Sequence, residues 1–146
     1  MHSLDPIFRP QSVAVFGASA TAGSIGNILM HNLLQNYFGG VVYPINPKRR
    51  AVQGVFCYPN LVALPLAADL AVIATPAATV PGLIRECADA GVKAAIIISA
   101  GFAELGAEGR ALEAEIRAIA HGKLRIIGPN CLGIIHPMNR DRKSVV

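Results

Sequence analysis

Five short apolar runs recur along the chain, and none of them alternates with polar residues: Ser12–Phe16, Val41–Ile45, Leu70–Ala74, Ala94–Ile98 and Leu124–Ile127. A strand with one wet face would alternate. A run that stays apolar throughout is buried on both faces, the situation of strands in a parallel sheet covered by helices. The segments between the runs supply such helices. From Ile25 to Leu34 the apolar positions Ile25, Ile28, Leu29 and Leu33 keep helical spacing. From Val80 to Ala90 the stripe is Val80, Leu83, Ile84, Cys87 and Ala88, and from Gly109 to Ala120 it is Leu112, Ile116 and Ile119. Each segment has one apolar face of period 3.6. A strand–helix unit recurring every roughly 25–30 residues implies crossovers of one hand and an α/β fold: Rossmann-like, doubly wound, with a mainly parallel sheet in three αβα layers.

Residues 53–68 break the rhythm. Val55–Tyr58 reads as a short strand there, and Asn60–Leu64 as a helical turn before Pro65. The sequence divides into one domain, 1–138, and a basic tail, 139–146, whose Asn139-Arg140-Asp141-Arg142-Lys143-Ser144 has no period and suits a linker or a frayed end.

Composition excludes several classes. With 146 residues, 53% of them apolar, and a formal charge of only +4, the chain can bury a core and is not disordered. Three cysteines do not make a disulfide scaffold. No apolar stretch approaches the roughly 18 residues of a membrane span, and the start Met1-His2-Ser3-Leu4-Asp5-Pro6 lacks the basic and apolar regions of a signal peptide. The expectation is a soluble cytoplasmic domain with no membrane partner.

Ligands of open α/β sheets bind beyond the carboxyl ends of the strands. All five loops there are small or polar: Gly17 to Gly26, Asn46 to Arg50, Thr75 to Thr79, Ser99 to Glu104 and Gly128 to Gly133. The first offers backbone N–H groups, hydroxyls and a helix start, which suit a phosphate, although Gly17, Gly23 and Gly26 do not form G-x-G-x-x-G. The second lacks the acid with which NAD sites hold a ribose hydroxyl, and has Lys48, Arg49 and Arg50 instead. Three cations favour an adenosine that carries an extra phosphate, as in NADP or coenzyme A.

These loops resemble a known family. Gly17-Ala18-Ser19, Tyr43-Pro44-Ile45-Asn46-Pro47, Asp69 to Pro76, Ser99-Ala100-Gly101-Phe102-Ala103-Glu104 and Ile127-Gly128-Pro129-Asn130-Cys131-Leu132-Gly133 look like the CoA-binding domain of NDP-forming acyl-CoA synthetases. That family includes ADP-forming acetyl-CoA synthetase and the α subunit of succinyl-CoA synthetase. The same domain opens bacterial protein acetyltransferases that carry a GNAT domain further along. The resemblance runs from about Pro10 to Pro137 and implies coenzyme A or acetyl-CoA as the ligand. It implies that Ser19, Ala20, Thr21, Ala22 and Gly23 wrap the phosphates after Gly17, with Ser24 to Gly26 at the following helix start. Lys48, helped by Arg49 beside Asn46 and Pro47, would meet the 3′-phosphate or pyrophosphate. Thr75, Pro76, Ile98, Ser99 and Ala100 would line the adenine and pantetheine, and Gly128-Pro129-Asn130 the floor near the thiol.

The family's phosphohistidine, ATP-grasp and GNAT modules do not fit in 146 residues. The chain therefore reads as a binding module whose partners are the catalytic domains or subunit of a parent enzyme, with homo-oligomerisation left open. Short stand-alone CoA-binding proteins also exist, but the Gly128–Cys131 loop looks more like the multidomain enzymes. The alternatives are an NADP-binding oxidoreductase domain and a regulatory domain that senses a nucleotide or CoA.

Other candidates weigh less. Cys131 lies in a site loop without an identifiable base and reads as a small packed residue; Cys57 and Cys87 read as core. His2, His31, His121 and His136 lack metal-ligand spacing. Glu104 either caps the next helix or meets a partner domain. The basic tail lacks the interleaved aromatics of a nucleic-acid surface, so no nucleic acid is expected.

Overall fold

The computed structural model describes residues 4–35 and 38–133. Five strands, β1 (Ser12–Phe16), β2 (Val41–Ile45), β5 (Leu70–Ile73), β6 (Ala94–Ile97) and β7 (Arg125–Ile127), form one parallel sheet in the order β2-β1-β5-β6-β7. The chain first steps from β1 outward to β2, then crosses back to β5 on the other side of β1 and proceeds outward again. All five carboxyl ends share one edge, and the reversal of direction lies between β1 and β5.

Helices cover both faces. Val13 and Val15 of β1, Leu70 and Val72 of β5, and Ala94 and Ile96 of β6 pack with Ile7 of α1 (Asp5–Phe8) and Leu29, Met30 and Leu33 of α2 (Ile25–Gln35). The alternate residues Ala14, Phe16, Ala71, Ile73, Ala95 and Ile97 pack with Val80, Ile84 and Cys87 of α3 (Val80–Asp89) and Ile116 and Ala120 of α4 (Ala107–Ala120). The helices switch faces where the strand order reverses, as crossovers of one hand require. β1, β5 and β6 are buried at every position, which is why they read as continuous apolar runs.

Three expectations change in detail. The buried stripe of α2 is Gly26, Leu29, Met30 and Leu33, while Ile25 and Ile28 are about half exposed. The helix is turned so that Gly26, not Ile25, faces the sheet, because Gly26 lies against the Gly17 carbonyl. The fifth strand starts at Arg125 and is only partly buried, since β7 is an edge with β6 as its strand neighbour. Val55–Tyr58 shortens to β4 (Val55–Phe56), which pairs antiparallel with β3 (Ala51–Val52) in a hairpin. Its turn residues Gln53 and Gly54 both have positive φ, +51° and +80°, the backbone that a two-residue hairpin favours. Nothing in Gln-Gly announces this as Asn-Gly would. Asn60–Leu64 does turn, as a single 3-10 turn over Leu61–Ala63 closed by the Asn60 side chain. The tail 139–146, His2 and His136 lie outside the described residues.

Candidate functional site

The first loop is built around two glycines that nothing larger can replace. Gly17 has φ +87°, and a Cβ there would lie 2.7 Å from the Ala74 carbonyl oxygen and 3.2 Å from Thr75 Cγ2. This places the loop after β1 directly against the loop after β5. Gly26, in the first turn of α2, backs onto Gly17 O, so helix and strand approach to main-chain contact. Between them the chain is shaped by its own hydroxyls. Ser19 Oγ accepts the Thr21 N–H at 3.0 Å. Ser24 Oγ donates to Thr21 O at 2.8 Å and accepts the Asn27 N–H at 3.3 Å, capping α2. Asn27 Nδ2 donates to Ser19 O at 3.1 Å.

The donor side of this loop stays open. Ala20 to Gly23 are exposed, and among the described residues the amides of Ala20, Ala22 and Gly23 have no acceptor. Ser19 spends a lone pair on Thr21 and keeps its O–H. Open N–H and O–H donors at the start of an 11-residue helix are the groups that a phosphate site needs.

The second loop is tied to the first through Asn46. Its Nδ2 donates to Ala18 O at 2.8 Å and its Oδ1 accepts the Lys48 N–H at 2.8 Å. Both ends of the amide are therefore engaged, and the position that carries an acid in NAD sites holds a neutral side chain that braces the two loops. Pro47, Lys48, Arg49 and Arg50 are exposed, and among the described residues none of the three cations has an ion-pair partner. The main chain of Arg50 joins the hairpin that follows, its carbonyl accepting the Cys57 N–H at 2.9 Å.

The remaining loops close the row. Thr79 Oγ1 bonds Thr75 Oγ1 at 2.8 Å and Pro76 O at 2.6 Å, folding the β5 loop on itself. Ser99, buried, donates to Ile73 O at 3.4 Å, and its own carbonyl accepts the Asn130 N–H at 3.0 Å. Asn130, exposed with φ +53°, turns the chain after the cis Gly128–Pro129 bond. The expected site residues thus come from five loops in one continuous row: β2 loop to β1 loop by Asn46–Ala18, β1 to β5 by Gly17, and β5 through β6 to β7 by Ser99. Sequence reasoning missed two braces. Asn27 ties the loop to the helix, and Gln53 of the hairpin donates to Asn27 O at 2.9 Å. Asn27 was legible as a polar residue in the first turn of a greasy helix; Gln53 belongs to a hairpin that the sequence did not announce.

Glu104 does not cap the next helix. α4 begins at Ala107 after Gly106 with no side-chain cap, and the Glu104 carboxylate instead accepts the Gly101 N–H within its own loop. That bond, with further ones from the Glu104 and Phe102 amides, holds its carboxyl below the usual range.

Cys131 is half-buried, with Sγ donating to Ile97 O at 3.3 Å. Cys57 and Cys87 are 4% and 0% exposed, and burial, with Glu86 adding to it, pushes the Cys87 thiol up to about 12. Iodoacetamide at pH 8 is expected to label Cys131 alone in the native protein and all three cysteines in denaturant, read by intact mass. Rapid native labelling of Cys87 would contradict the packing of α3.

A groove of about 690 Å³ lies at the opposite, amino end of β6 and β7, lined in part by Lys93, Arg117, His121, Lys123 and Arg125. It opens beside the last turn of α4, whose carbonyls these cations complement. Among the described residues no cluster of His, Cys, Asp and Glu could hold a metal, and no helix is long and apolar enough to cross a membrane.

The family model described as a CoA binding domain matches residues 11–137. The chain belongs to the CoA-binding domain family. Acetate–CoA ligase [ADP-forming] I of Archaeoglobus fulgidus is 44% identical over 134 residues, covering 91% of this chain and 19% of that protein. The α subunit of acetate–CoA ligase [ADP-forming] II from Pyrococcus furiosus is also 44% identical, over 91% of this chain and 29% of its own length. The solved dinucleotide-forming acetyl-coenzyme A synthetase 1 of Ca. Korarchaeum cryptofilum, in complex with phosphate and ADP, superposes with a TM-score of 0.88 at 39% identity, covering 99% of this chain and 31% of that one. The CoA-binding domain described here thus spans about a fifth to a third of the relatives it matches. Membership of this family supports coenzyme A as the ligand.

Proposed function

We propose that this domain binds coenzyme A across the five carboxyl-end loops, as the CoA-binding part of an ADP-forming acyl-CoA synthetase. The observation that carries the reading is the joint geometry of the first two loops. Unpaired amides and the Ser19 hydroxyl face outward at the start of α2, and Asn46 anchors Lys48 beside them at the Ala18 carbonyl. In this arrangement Ser19 to Gly26 hold the pyrophosphate by hydrogen bonds, while Lys48 and Arg49 take the 3′-phosphate through charged hydrogen bonds. Pantetheine runs along Thr75-Pro76 and Ile98-Ser99-Ala100 toward Asn130. No side chain in these loops pairs a nucleophile with a base, so the domain's part in the reaction is to hold and orient the thiol carrier.

The partner is the catalytic remainder of such a synthetase, as further domains or as a second subunit. Support comes from Ile25, Leu105 and Leu132, which are 54%, 74% and 102% exposed and all belong to carboxyl-end loops or the helix start among them. Apolar side chains around a ligand face favour a covering protein surface. An acetyltransferase parent has no separate observation in its favour. The cytoplasm suits a domain with three free thiols.

Calorimetric titration with CoA, acetyl-CoA, dephospho-CoA, NADP and NAD tests the reading. CoA and acetyl-CoA are expected to bind, dephospho-CoA more weakly, and the nicotinamide cofactors not measurably. Binding of NADP without CoA would refute it.

A further inference from the structure

The loop after β6 is fixed at three points. Ser99 is held on both sides, by Ile73 O and by the Asn130 amide. Phe102 is completely buried, and Gly109 of α4 packs on its main chain so closely that a Cβ would overlap the Phe102 carbonyl. Between these anchors only Ala100 and Gly101 are exposed or half-exposed. Gly101 has φ +101°, and a Cβ there would lie 3.2 Å from Ala77 Cβ, so this point also touches the loop after β5. The third anchor is the Glu104 carboxylate on the Gly101 N–H.

Without that acceptor, the two-residue span between Ser99 and Phe102 would keep no hydrogen bond of its own among the described residues. A glycine has access to many backbone conformations, and an unbonded amide leaves its peptide plane free to turn. The peptide in question joins Ala100 to Gly101, and the same turn would move the Ala100 carbonyl. Glu104 itself faces solvent. Its removal exposes no core and leaves Phe102 and Ser99 in place.

We infer that Glu104 is a positioning residue for coenzyme A, holding the Ala100–Gly101 peptide in the orientation that completes the pantetheine side of the site. The inference rests on the CoA reading given above. Glu104 touches no ligand in this scheme; it acts through the Gly101 amide. The same backbone amides lower the carboxyl's pKa, which favours the charged form that accepts the Gly101 N–H.

Amide hydrogen exchange and CoA titration on wild type, Glu104→Ala and Glu104→Gln test this together. In Glu104→Ala the Gly101 amide is expected to exchange about tenfold faster, with CoA affinity lower by about three- to tenfold. Thermal stability should stay near wild type. Glu104→Gln keeps an oxygen acceptor and should restore most of both. If Glu104→Ala loosens Gly101 while CoA binds as before, or if Glu104→Gln falls as far as alanine, the positioning role is wrong. Unchanged exchange in Glu104→Ala would overturn it as well. Failure of the wild type to bind CoA would refute the functional reading, and the positioning role with it; the three outcomes before it refute the positioning role alone.

Discussion

Gly26→Ala is expected to destabilise the domain by about 3 kcal/mol, the upper part of the range for overpacking against groups that cannot yield. The Cβ would fall onto the Gly17 carbonyl oxygen, with the Gly17 carbonyl carbon at 2.8 Å and Ser19 N at 3.3 Å. All three are main-chain atoms. Gly17 is itself packed so closely that a Cβ on it would lie 2.7 Å from the Ala74 carbonyl oxygen, which leaves it little room to retreat. The remaining relief is for α2 to lift off the sheet, which loosens Leu29, Met30 and Leu33 from Val13 and Val15. At about 2–4 °C per kcal/mol for a domain of this size, the midpoint of thermal unfolding should fall by roughly 6–12 °C. Gly82→Ala in α3 is the matched control. A Cβ at Gly82 meets nothing within 4 Å, so only helix propensity changes there, in favour of alanine by up to about 1 kcal/mol. One glycine replacement should therefore lower the midpoint and the other leave or raise it. Equal midpoints for Gly26→Ala and wild type would mean that α2 does not approach β1 as described. The lifted helix start would also carry the Ser24 cap and the loop amides away from the phosphates, so CoA affinity should fall even where the variant remains folded.

The same contact explains what the sequence could and could not reveal. The buried strands were legible because β1, β5 and β6 lie between helices on both faces, a condition that leaves its mark on every residue of the run. β7 was over-read: Leu124 is buried ahead of the strand, whereas Arg125 opens it and lies exposed on an edge. The rotation of α2 was not legible from hydrophobicity, since Ile25 and Ile28 are the greasier residues and yet face outward. What turns the helix is the absence of a side chain at Gly26, a steric demand that a hydrophobic pattern does not record. In the candidate site the loops were legible as strand ends rich in small residues. The links between them were not. Asn46 could be named as a loop residue, but that its amide would bridge Ala18 and Lys48 depends on β1 and β2 being neighbours in register. Glu104 was misplaced for a related reason. Its position before a helix suggests a cap, while Gly101 at φ +101° turns an N–H back toward it and takes the carboxylate first.

Lys48→Ala is expected to weaken CoA by about 1.5–3 kcal/mol, the cost of a charged hydrogen bond, or roughly 10- to 150-fold in the dissociation constant. Dephospho-CoA, which lacks the 3′-phosphate, should lose little by the same substitution. Lys48 is singled out among the three cations by its main chain. The Asn46 side chain fixes its amide beside Ala18, whereas the main chain of Arg50 is held at the β3–β4 hairpin by the Cys57 N–H. Arg49→Ala should weaken CoA in the same direction but by less. Because Lys48 is exposed and without an ion-pair partner among the described residues, its removal should change folding stability by no more than about 0.5 kcal/mol. Binding loss can then be read apart from unfolding. Comparing the two ligands across wild type and Lys48→Ala isolates the pairwise term, because each change removes one partner of the same contact. The wild-type preference for CoA over dephospho-CoA should largely vanish in the variant, and in the wild type it should shrink as salt is added. If wild type binds both ligands equally well, the 3′-phosphate does not lie at Lys48, and the basic loop serves some other purpose than holding coenzyme A.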